Sequence, residues 1–587
     1  MERKGFSLID LVLTLGIITL LFGGIFLVYF TILDVLNNSS LRTIAVSVLN
    51  REIEIIRNLP YENVGTVGGV PAGILPQEQA VSWSDINFTL RTVIRNIDDP
   101  FDGTLGGAPN DTAPADYKLI ELEASCGTCG RFVPILITTT VAPQNLESTS
   151  RNGSLFVNVF DAFGLPIENA QVRVVNTSVS PSIDLTDSTN INGVFQLVDV
   201  PTSTLSYELS VSKAGFSSEK TFPPGAPGNP NPLKPHATVA EQTVTSVSFA
   251  IDRTSTIQVK THDATCSPFA GKSFTLSGTK LIGTSPDVLK FSTTSATDAS
   301  GTRTFGNIEW DTYNALLSDS LSDVLGTIPL FPTVVNPAST GAFSFVLLPS
   351  APNALLITVK NAVTGGTIGG STTTLSSAGF SETKVTGRSF VRETDWSGGS
   401  YSSQSGGVET ESAPGSFKLA QESDGRYSTT TTSWLVSQTI NVGSSTATYY
   451  SLAWNPLTEP PATGPGSARF QIASNNDQAT WNFTGPDGTP GTYYSASGEV
   501  LHGQHNGNRY VRYKAYLMTA SEFATPQVDD VSIEFNSVCV PPSQVLFQNL
   551  SPGAYTITAV APGYAQATSS VSVSGAWQQQ ELLLPPL

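Results

Sequence analysis

Residues 1–34, MERKGFSLIDLVLTLGIITLLFGGIFLVYFTILD, combine a short charged leader with a long apolar segment, and the rest of the chain is organised around them. No charged residue occurs from Leu11 to Leu33. A helix of this length can cross a bilayer core of about 30 Å. A secretory signal peptide is disfavoured, since the apolar part is too long, its end lacks a small-x-small cleavage site, and Asp10 lies near its start.

The apolar pattern continues past this segment at helical spacing. We expect one helix from about Phe6 to Asn58, roughly 80 Å long, that ends before Pro60. Its first half would lie in lipid or in a filament core, and its second half would pack on a sheet. Three predicted strands supply that sheet, at residues 86–97, 116–125 and 131–143.

Composition indicates several β domains. The chain has 587 residues, of which 13% are charged, with 50 Gly and 38 Pro, and it contains many short alternating segments. The net charge of −18 argues against nucleic acid as a partner, because phosphates require basic stripes. Four Cys do not make a disulfide scaffold.

An internal repeat follows the first domain. Its copies are predicted at residues 151–253, at 254–350, and at 351–389 together with 538–587. The third copy stops at about Ser389 and its missing half returns about 150 residues later. Residues 390–537 are therefore predicted to form an inserted domain.

The residues GFSLID, followed by an apolar helix, resemble the class III leader of type IV prepilins and pseudopilins. The resemblance implies that a prepilin peptidase cuts after Gly5 and methylates the new terminal amine of Phe6. It also implies that Asp10, where the family has Glu, meets the terminal amine of a neighbouring subunit. The alternative is a plain membrane anchor with an acid favoured at a helix start.

The resemblance implies a leader at residues 1–5 and a pilin-like domain at 6–150, with a transmembrane helix at about 6–33. The repeats have an extended first strand, a Gly-flanked turn at Gly193 and Gly301, and a Pro-Gly-x-Tyr strand at residues 552–555. On these features they resemble carboxypeptidase regulatory-like domains, which are transthyretin or Ig-like sandwiches, and the insert is similar to a jelly roll of the galactose-binding kind. The expected fold class is mainly β and multidomain, with one long N-terminal α-helix, an α+β pilin-like domain, three sandwiches and one inserted jelly-roll-like domain.

Two features of the first domain are candidates for a functional site or a disulfide. Cys126 and Cys129 lie between two strands, where a disulfide across the turn is preferred over a free pair, a redox motif or half a zinc site. The acidic loop of residues 98–103 could hold Ca²⁺, although an acidic turn is the simpler interpretation. Cys266 and Cys539 are either small buried residues or a pair.

The insert is rich in aromatic residues, and sugar sites stack an aromatic ring on a pyranose face among polar groups. Its candidate glycan contacts are Trp481, Asn475, Asn476, Asp477 and Arg509. The alternative is that the rings fill the core and the polar residues make turns.

No catalytic, cofactor or metal site is predicted, and the chain is not expected to be an enzyme. His502 and His505 have a metal-like spacing, but the intervening Glu of a metalloprotease helix is missing and a loop is favoured.

Together these features predict a minor or tip-type pilin-like subunit that displays β modules for adhesion. It would begin as a single-pass precursor in the cytoplasmic membrane and end in a pilus or at the cell surface. Its expected partners are prepilin peptidase, other pilin or pseudopilin subunits, the membrane, and a surface glycan or protein. The alternatives are a pseudopilin of a type II-like secretion system and a membrane-anchored glycan-binding or glycan-modifying protein.

Overall fold

The computed structural model describes residues 8–144, 149–412 and 415–587, without the side chains of residues 9–11. The expected fold class is confirmed, because one long N-terminal helix is followed by many β-sheets. The chain divides into two units, one containing the residues up to 254 and 281–288, the other containing 255–280 and 289–587.

Helix α1 extends over Leu8–Arg57 in the described chain. At 1.5 Å per residue its 50 residues are about 75 Å long. The helix ends just before Pro60, which has no N–H to donate and restricts the residue before it. The predicted end at Asn58 is thus one residue beyond the observed one.

An antiparallel sheet in the order β1-β2-β3-β4 packs on the second half of α1. In β2 the side chains of Phe88, Leu90 and Ile94 are buried on the helix side, as the alternation predicts. The first strand was not predicted, because EQAVSW carries few apolar residues. The strands are β1 (Glu78–Trp83), β2 (Ile86–Ile97), β3 (Tyr117–Ser125) and β4 (Ile135–Val141).

The rest of the first unit contains a sandwich of two sheets. One sheet has the order β10-β9-β6-β7 with β11 on β9, and the other has the order β12-β5-β8. Its first and last strands, β5 and β12, pair in parallel. The strands are β5 (Gly153–Phe160), β6 (Gln171–Asn176), β7 (Ile183–Ser188), β8 (Val194–Val200), β9 (Ser203–Ser212), β10 (Glu219–Lys220), β11 (Ala237–Val239) and β12 (Val244–Ala250).

The second unit begins with a sandwich of the same kind. Its sheets have the orders β18-β13-β22-β20 and β17-β14-β19-β21, and β13 again pairs in parallel with the last strand, β22. A two-stranded hairpin of β15 and β16 is inserted in sequence, and its residues 281–288 belong to the first unit. The strands are β13 (Ser255–His262), β14 (Ser273–Gly278), β15 (Leu281–Gly283), β16 (Val288–Leu289), β17 (Ser292–Ala296), β18 (Thr302–Ile308), β19 (Asp311–Leu317), β20 (Ser322–Ile328), β21 (Thr333–Val335) and β22 (Thr340–Pro349).

A third sandwich is assembled from two separate parts of the chain. Strand β23 pairs with β38 and, in parallel, with β41, while β24 pairs with β25 and β39. Strands before and after the insert therefore share both sheets. The strands are β23 (Leu355–Asn361), β24 (Thr372–Ser377), β25 (Phe380–Val385), β38 (Gln544–Phe547), β39 (Gly553–Val560), β40 (Ala567–Val573) and β41 (Gln578–Leu584).

The inserted domain contains one sheet in the order β26-β37-β32-β34, a second in which β35 pairs with β30, β31 and β33, and a third in the order β28-β29-β36. The strands are β26 (Ser389–Glu393), β27 (Ser403–Gln404), β28 (Val408–Glu409), β29 (Phe417–Leu419), β30 (Ser433–Val436), β31 (Ile440–Asn441), β32 (Thr448–Asn455), β33 (Ala468–Asn475), β34 (Glu499–Val500), β35 (Tyr510–Leu517), β36 (Gln527–Val528) and β37 (Asp530–Asn536).

The first two sandwiches share a glycine turn that the repeat pattern identified. Gly193 and Gly301 have φ values of +71° and +68°. Their carbonyls accept hydrogen bonds from the N–H groups of Val159 and Thr261, respectively. A Cβ on either glycine would lie 2.4–2.5 Å from the carbonyl oxygen of that same partner. Both the backbone conformation and the close approach therefore require glycine.

Candidate functional sites

The N-terminal part of α1 exposes its apolar side chains. Leu20 is 79% exposed, and Phe26 and Leu36 are more than half exposed, whereas Ala45 and Leu49 are fully buried against the sheet. Leaving a Leu or Phe in water rather than burying it costs about 1.5–3 kcal/mol. This part of α1 therefore needs an apolar surrounding, and by length and composition the helix could cross a membrane.

The predicted processing residues Gly5 and Phe6 lie outside the described residues, as does the side chain of Asp10. Farther along α1, the Asp34 carboxylate is 4.0 Å from the Arg131 guanidinium, and both side chains are mostly exposed. An ion pair of that kind contributes little to stability.

Cys126 and Cys129 form a disulfide between β3 and β4, with their Cα atoms 5.4 Å apart. Just beyond it, the ring of Phe132 packs edge-on against that of Phe88, with 5.8 Å between centroids. The bond thus closes the turn at the edge of the helix-facing core, whereas redox CxxC pairs normally begin a helix.

The acidic loop uses its carboxylates to hold its own backbone. Asp98 accepts a hydrogen bond from the Leu105 N–H at 2.9 Å, and Asp99 accepts one from the Phe101 N–H at 3.1 Å. Burial raises the pKa of Asp98, and neighbouring acids add to the effect. Within residues 8–144, 149–412 and 415–587, no group of three or more His, Cys, Asp or Glu is arranged to hold a metal ion. The hydrogen bonds of Asp98 and Asp99 are those of an acidic turn.

The polar groups predicted to contact a glycan stabilise the loop that follows β33. The Asn475 amide is 8% exposed, donates to the Thr480 carbonyl at 2.6 Å and accepts from the Gln478 N–H at 2.8 Å. The Asp477 carboxylate accepts from the N–H groups of Thr480 and Ala479, and these bonds lower its pKa. These two side chains act as turn formers, the role that the alternative interpretation assigned to them.

The other three candidates remain closer to solvent. The Trp481 indole N–H donates to the Gln478 carbonyl at 3.2 Å, and its half-buried ring lies under the Arg512 guanidinium. Asn476 accepts from the backbone N–H of exposed Arg509 at 2.9 Å. The ring of Trp481 is thus more exposed than the Asn475 amide, and the structure adds a cation, Arg512, that the predicted set did not contain.

His502 and His505 have different environments. His505 is 2% exposed, and its Nδ1 lies 3.0 Å from the Ser474 hydroxyl. Burial lowers the pKa of His505 to about 4, so the ring is neutral at physiological pH. The Nδ1 of His502 accepts from the Gln504 N–H at 3.3 Å. The two rings therefore serve local packing and turn formation.

Sequence reasoning missed a row of cations and rings on the outer face of the β33–β35 pair. Burial alternates strictly along β35, which gives this strand one buried face and one outer face. The informative signal was that every outward position of β35 carries either a cation or an aromatic ring: Tyr510, Arg512, Lys514 and Tyr516.

Comparison with known proteins does not identify a function for this chain. The chain matches no known protein family and no curated protein. Among solved structures it is similar to the TIE protein of Bacillus anthracis, with 10% identity over 86% of this chain and 73% of that chain and a TM-score of 0.15. It is also similar to a streptococcal ancillary pilin, with 11% identity over 39% of this chain and 75% of that chain and a TM-score of 0.17. For GBS52, the minor pilin of Streptococcus agalactiae, the identity is 11% over 34% of this chain and 96% of that chain, with a TM-score of 0.17. Similarities at these TM-scores carry no argument about fold or function.

Proposed function

We propose that this chain is a minor or tip-type subunit of a type IV pilin-like fibre. It is inserted in the cytoplasmic membrane through α1, trimmed after Gly5 and assembled with other pilin-like subunits, and it displays its β domains at the cell surface. The single observation that supports this function best is the change along α1 from exposed apolar side chains, such as Leu20, to buried ones, such as Leu49.

That change matches the two environments that an assembling subunit requires. The exposed part of α1 exchanges lipid for the helices of other subunits, because both surroundings bury apolar surface. The buried part of α1 keeps the sheet attached during that exchange. An acid at position 10 favours pairing with a cation, since an unpaired charge in lipid is costly.

The size of the remaining chain supports a minor position. Three sandwiches and an inserted domain follow the helix and its sheet. Repeating this cargo at every position would crowd a filament, whereas a tip or sparse subunit has room for it.

The decisive experiment is mass spectrometry of the N-terminus after co-expression with an active or inactivated prepilin peptidase. We expect a methylated chain that begins at Phe6 with the active enzyme only, and an unprocessed chain for Gly5→Val. Gly16→Val is the matched control, because a Cβ at Gly16 meets nothing within 4 Å. A leader that stays attached beside active peptidase would contradict the proposal and leave a plain anchor.

Assembly is tested separately by shearing surface fibres and probing them for the mature chain. We expect Asp10→Asn to reduce the sheared fraction, whereas Asp34→Asn, with the same charge change in an exposed part of α1, leaves it unchanged. Absence of the wild-type chain from sheared fibres would argue against a pilus subunit.

A further inference from the structure

The outer face of the β33–β35 pair carries three cations, each packed on an aromatic ring. The cations are Arg469 on β33 and Arg512 and Lys514 on β35. Arg469 lies opposite Tyr516 in the strand register, and Gln471 lies opposite Lys514, so all three cations project from one side of the sheet. We call this set, with its rings Tyr493, Trp481 and Trp434, the cation–ring face.

Each cation lies within cation–π distance of its ring. The Arg512 guanidinium is 4.3 Å from the centroid of Trp481, and the Lys514 ammonium is 4.3 Å from that of Trp434. The Arg469 guanidinium is 4.2 Å from the centroid of Tyr493. These contacts restrict three long side chains before any ligand arrives, which lowers the entropic cost of binding.

The positive charges of this face are not neutralised within the described part of the chain. None of the three cations forms an ion pair with a described carboxylate. Elsewhere in the same domain, Arg392 and Arg426 pair with Asp530 and Glu522, respectively.

The polar neighbours of these cations are neutral. Arg512 donates to the neutral hydroxyl of Thr439 at 2.9 and 2.7 Å, and the Nε of Arg469 is buried without a hydrogen-bond partner. In a chain with a net charge of −18, a face of uncompensated cations is an exception that an anionic ligand would explain.

We propose that the cation–ring face binds an acidic polysaccharide, whose carboxylate or sulfate groups meet Arg469, Arg512 and Lys514. Guanidinium and ammonium donors form strong hydrogen bonds with such anions. The half-buried rings present apolar surface to the C–H faces of the sugars. A neutral glycan would leave the three charges unused, and a nucleic acid would bring many more phosphates to an acidic chain than three cations neutralise.

This inference adds a ligand class to the adhesive part of the proposed function but does not depend on processing or assembly. Binding is measured on the unassembled full-length chain in detergent micelles at low salt. The probes are polygalacturonate, its fully methyl-esterified neutral form, dextran sulfate, dextran and a single-stranded DNA oligonucleotide. We expect binding to polygalacturonate or dextran sulfate, with the preference identifying a carboxylate or sulfate ligand, and none to the neutral polymers.

The test variant is Arg512→Gln with Lys514→Gln, which shortens both side chains but keeps them polar and removes two charges. We expect its affinity for the acidic polymer to fall about tenfold or more, because each charge-assisted contact adds substantially to binding. The matched control is Lys418→Gln with Arg426→Gln, two cations of the same domain that are paired with Glu409 and Glu522. Thermal unfolding verifies that both double variants remain folded.

Three outcomes would overturn the inference. These are equal binding of neutral and acidic polymers, the same loss of affinity in the control and test variants, and tighter binding of single-stranded DNA than of either acidic polysaccharide. The last result would make nucleic acid the ligand class instead.

Discussion

Cys266 and Cys539 form a disulfide although 273 residues separate them in sequence. The bond joins the turn after β13 to the segment that leaves the inserted domain. Next to it, the hydroxyl of Ser537 donates to the Ala264 carbonyl at 3.3 Å. The second sandwich is thereby tied to the exit of the insert within the second unit.

Removing this disulfide should destabilise the second unit. Closing a long loop lowers the entropy of the unfolded chain, so Cys266→Ala with Cys539→Ala should cost about 2–4 kcal/mol. The control is Cys126→Ala with Cys129→Ala, which opens a loop with a sequence separation of only 3. Urea unfolding of the full chain, with and without each pair of substitutions, measures both effects. An equal or larger loss of stability in the control would contradict the loop-entropy argument.

The stability of the inserted domain should depend on the buried hydroxyl of Tyr513, which takes part in two hydrogen bonds. The Trp396 indole N–H donates to the Tyr513 hydroxyl at 2.7 Å, and that hydroxyl donates to Glu393. Tyr513→Phe removes both of these hydrogen bonds from the core, so stability should fall by about 2 kcal/mol.

Tyr516→Phe is the control for this prediction, because its hydroxyl donates to Gln471 from the half-buried outer face of the same strand. We expect the control to lose less than about 1 kcal/mol in chemical denaturation. Equal losses of stability in Tyr513→Phe and Tyr516→Phe would show that the buried hydrogen bonds of Tyr513 contribute no more than the outer one of Tyr516.

The stability of the insert should depend on the ionisation of Glu459. Burial raises the pKa of Glu459 from its ordinary 4.5 to about 7; Asp529 adds to the rise and a hydrogen bond from the Gln527 N–H opposes it. Between pH 4.5 and about 7, Glu459 keeps its proton in the folded chain and releases it in the unfolded chain. The contribution of Glu459 to stability is therefore greatest below pH 4.5 and is lost as pH rises through about 7.

The measurement is the difference in unfolding free energy between the wild type and Glu459→Gln across pH 4–8. We expect the advantage of the wild type to fall by about 1 kcal/mol over this range, a value reduced for partial solvent screening. The subtraction also cancels the contribution of His505 to the pH dependence of stability. Because the pKa of His505 is lowered, that contribution to stability declines as pH falls. Glu422→Gln, which changes an exposed carboxylate of the same domain, should leave the profile unchanged, and a flat difference curve for Glu459→Gln would refute the assignment.

The two parts of α1 should respond differently to truncation. Leu49 is fully buried against the sheet, so Leu49→Ala should destabilise the first unit by about 3 kcal/mol. Leu36 is 60% exposed, and Leu36→Ala should change that stability by less than about 0.5 kcal/mol. Thermal unfolding in detergent measures both, and similar losses would mean that the apolar part of α1 packs on the folded domain.

Local patterns were sufficient for the elements whose side chains alternate strictly. The end of α1 near Pro60 and the buried face of β2 follow from periodicity, because neighbouring residues alone set which side of an element is apolar. Strand β1 escaped prediction because its position at the sheet edge leaves most of its side chains exposed, so its sequence carries no apolar alternation.

The apolar helix and the β-rich class of the chain could be predicted from the sequence alone, since both depend on the spacing of residues that are close in sequence. The folded structure was needed to show that Cys266 bonds to Cys539, that β23 pairs with β38 and β41, and that Arg512 lies over Trp481. These pairings depend on which sheet faces and loops lie next to one another in the folded chain, and no local spacing in the sequence predicts them.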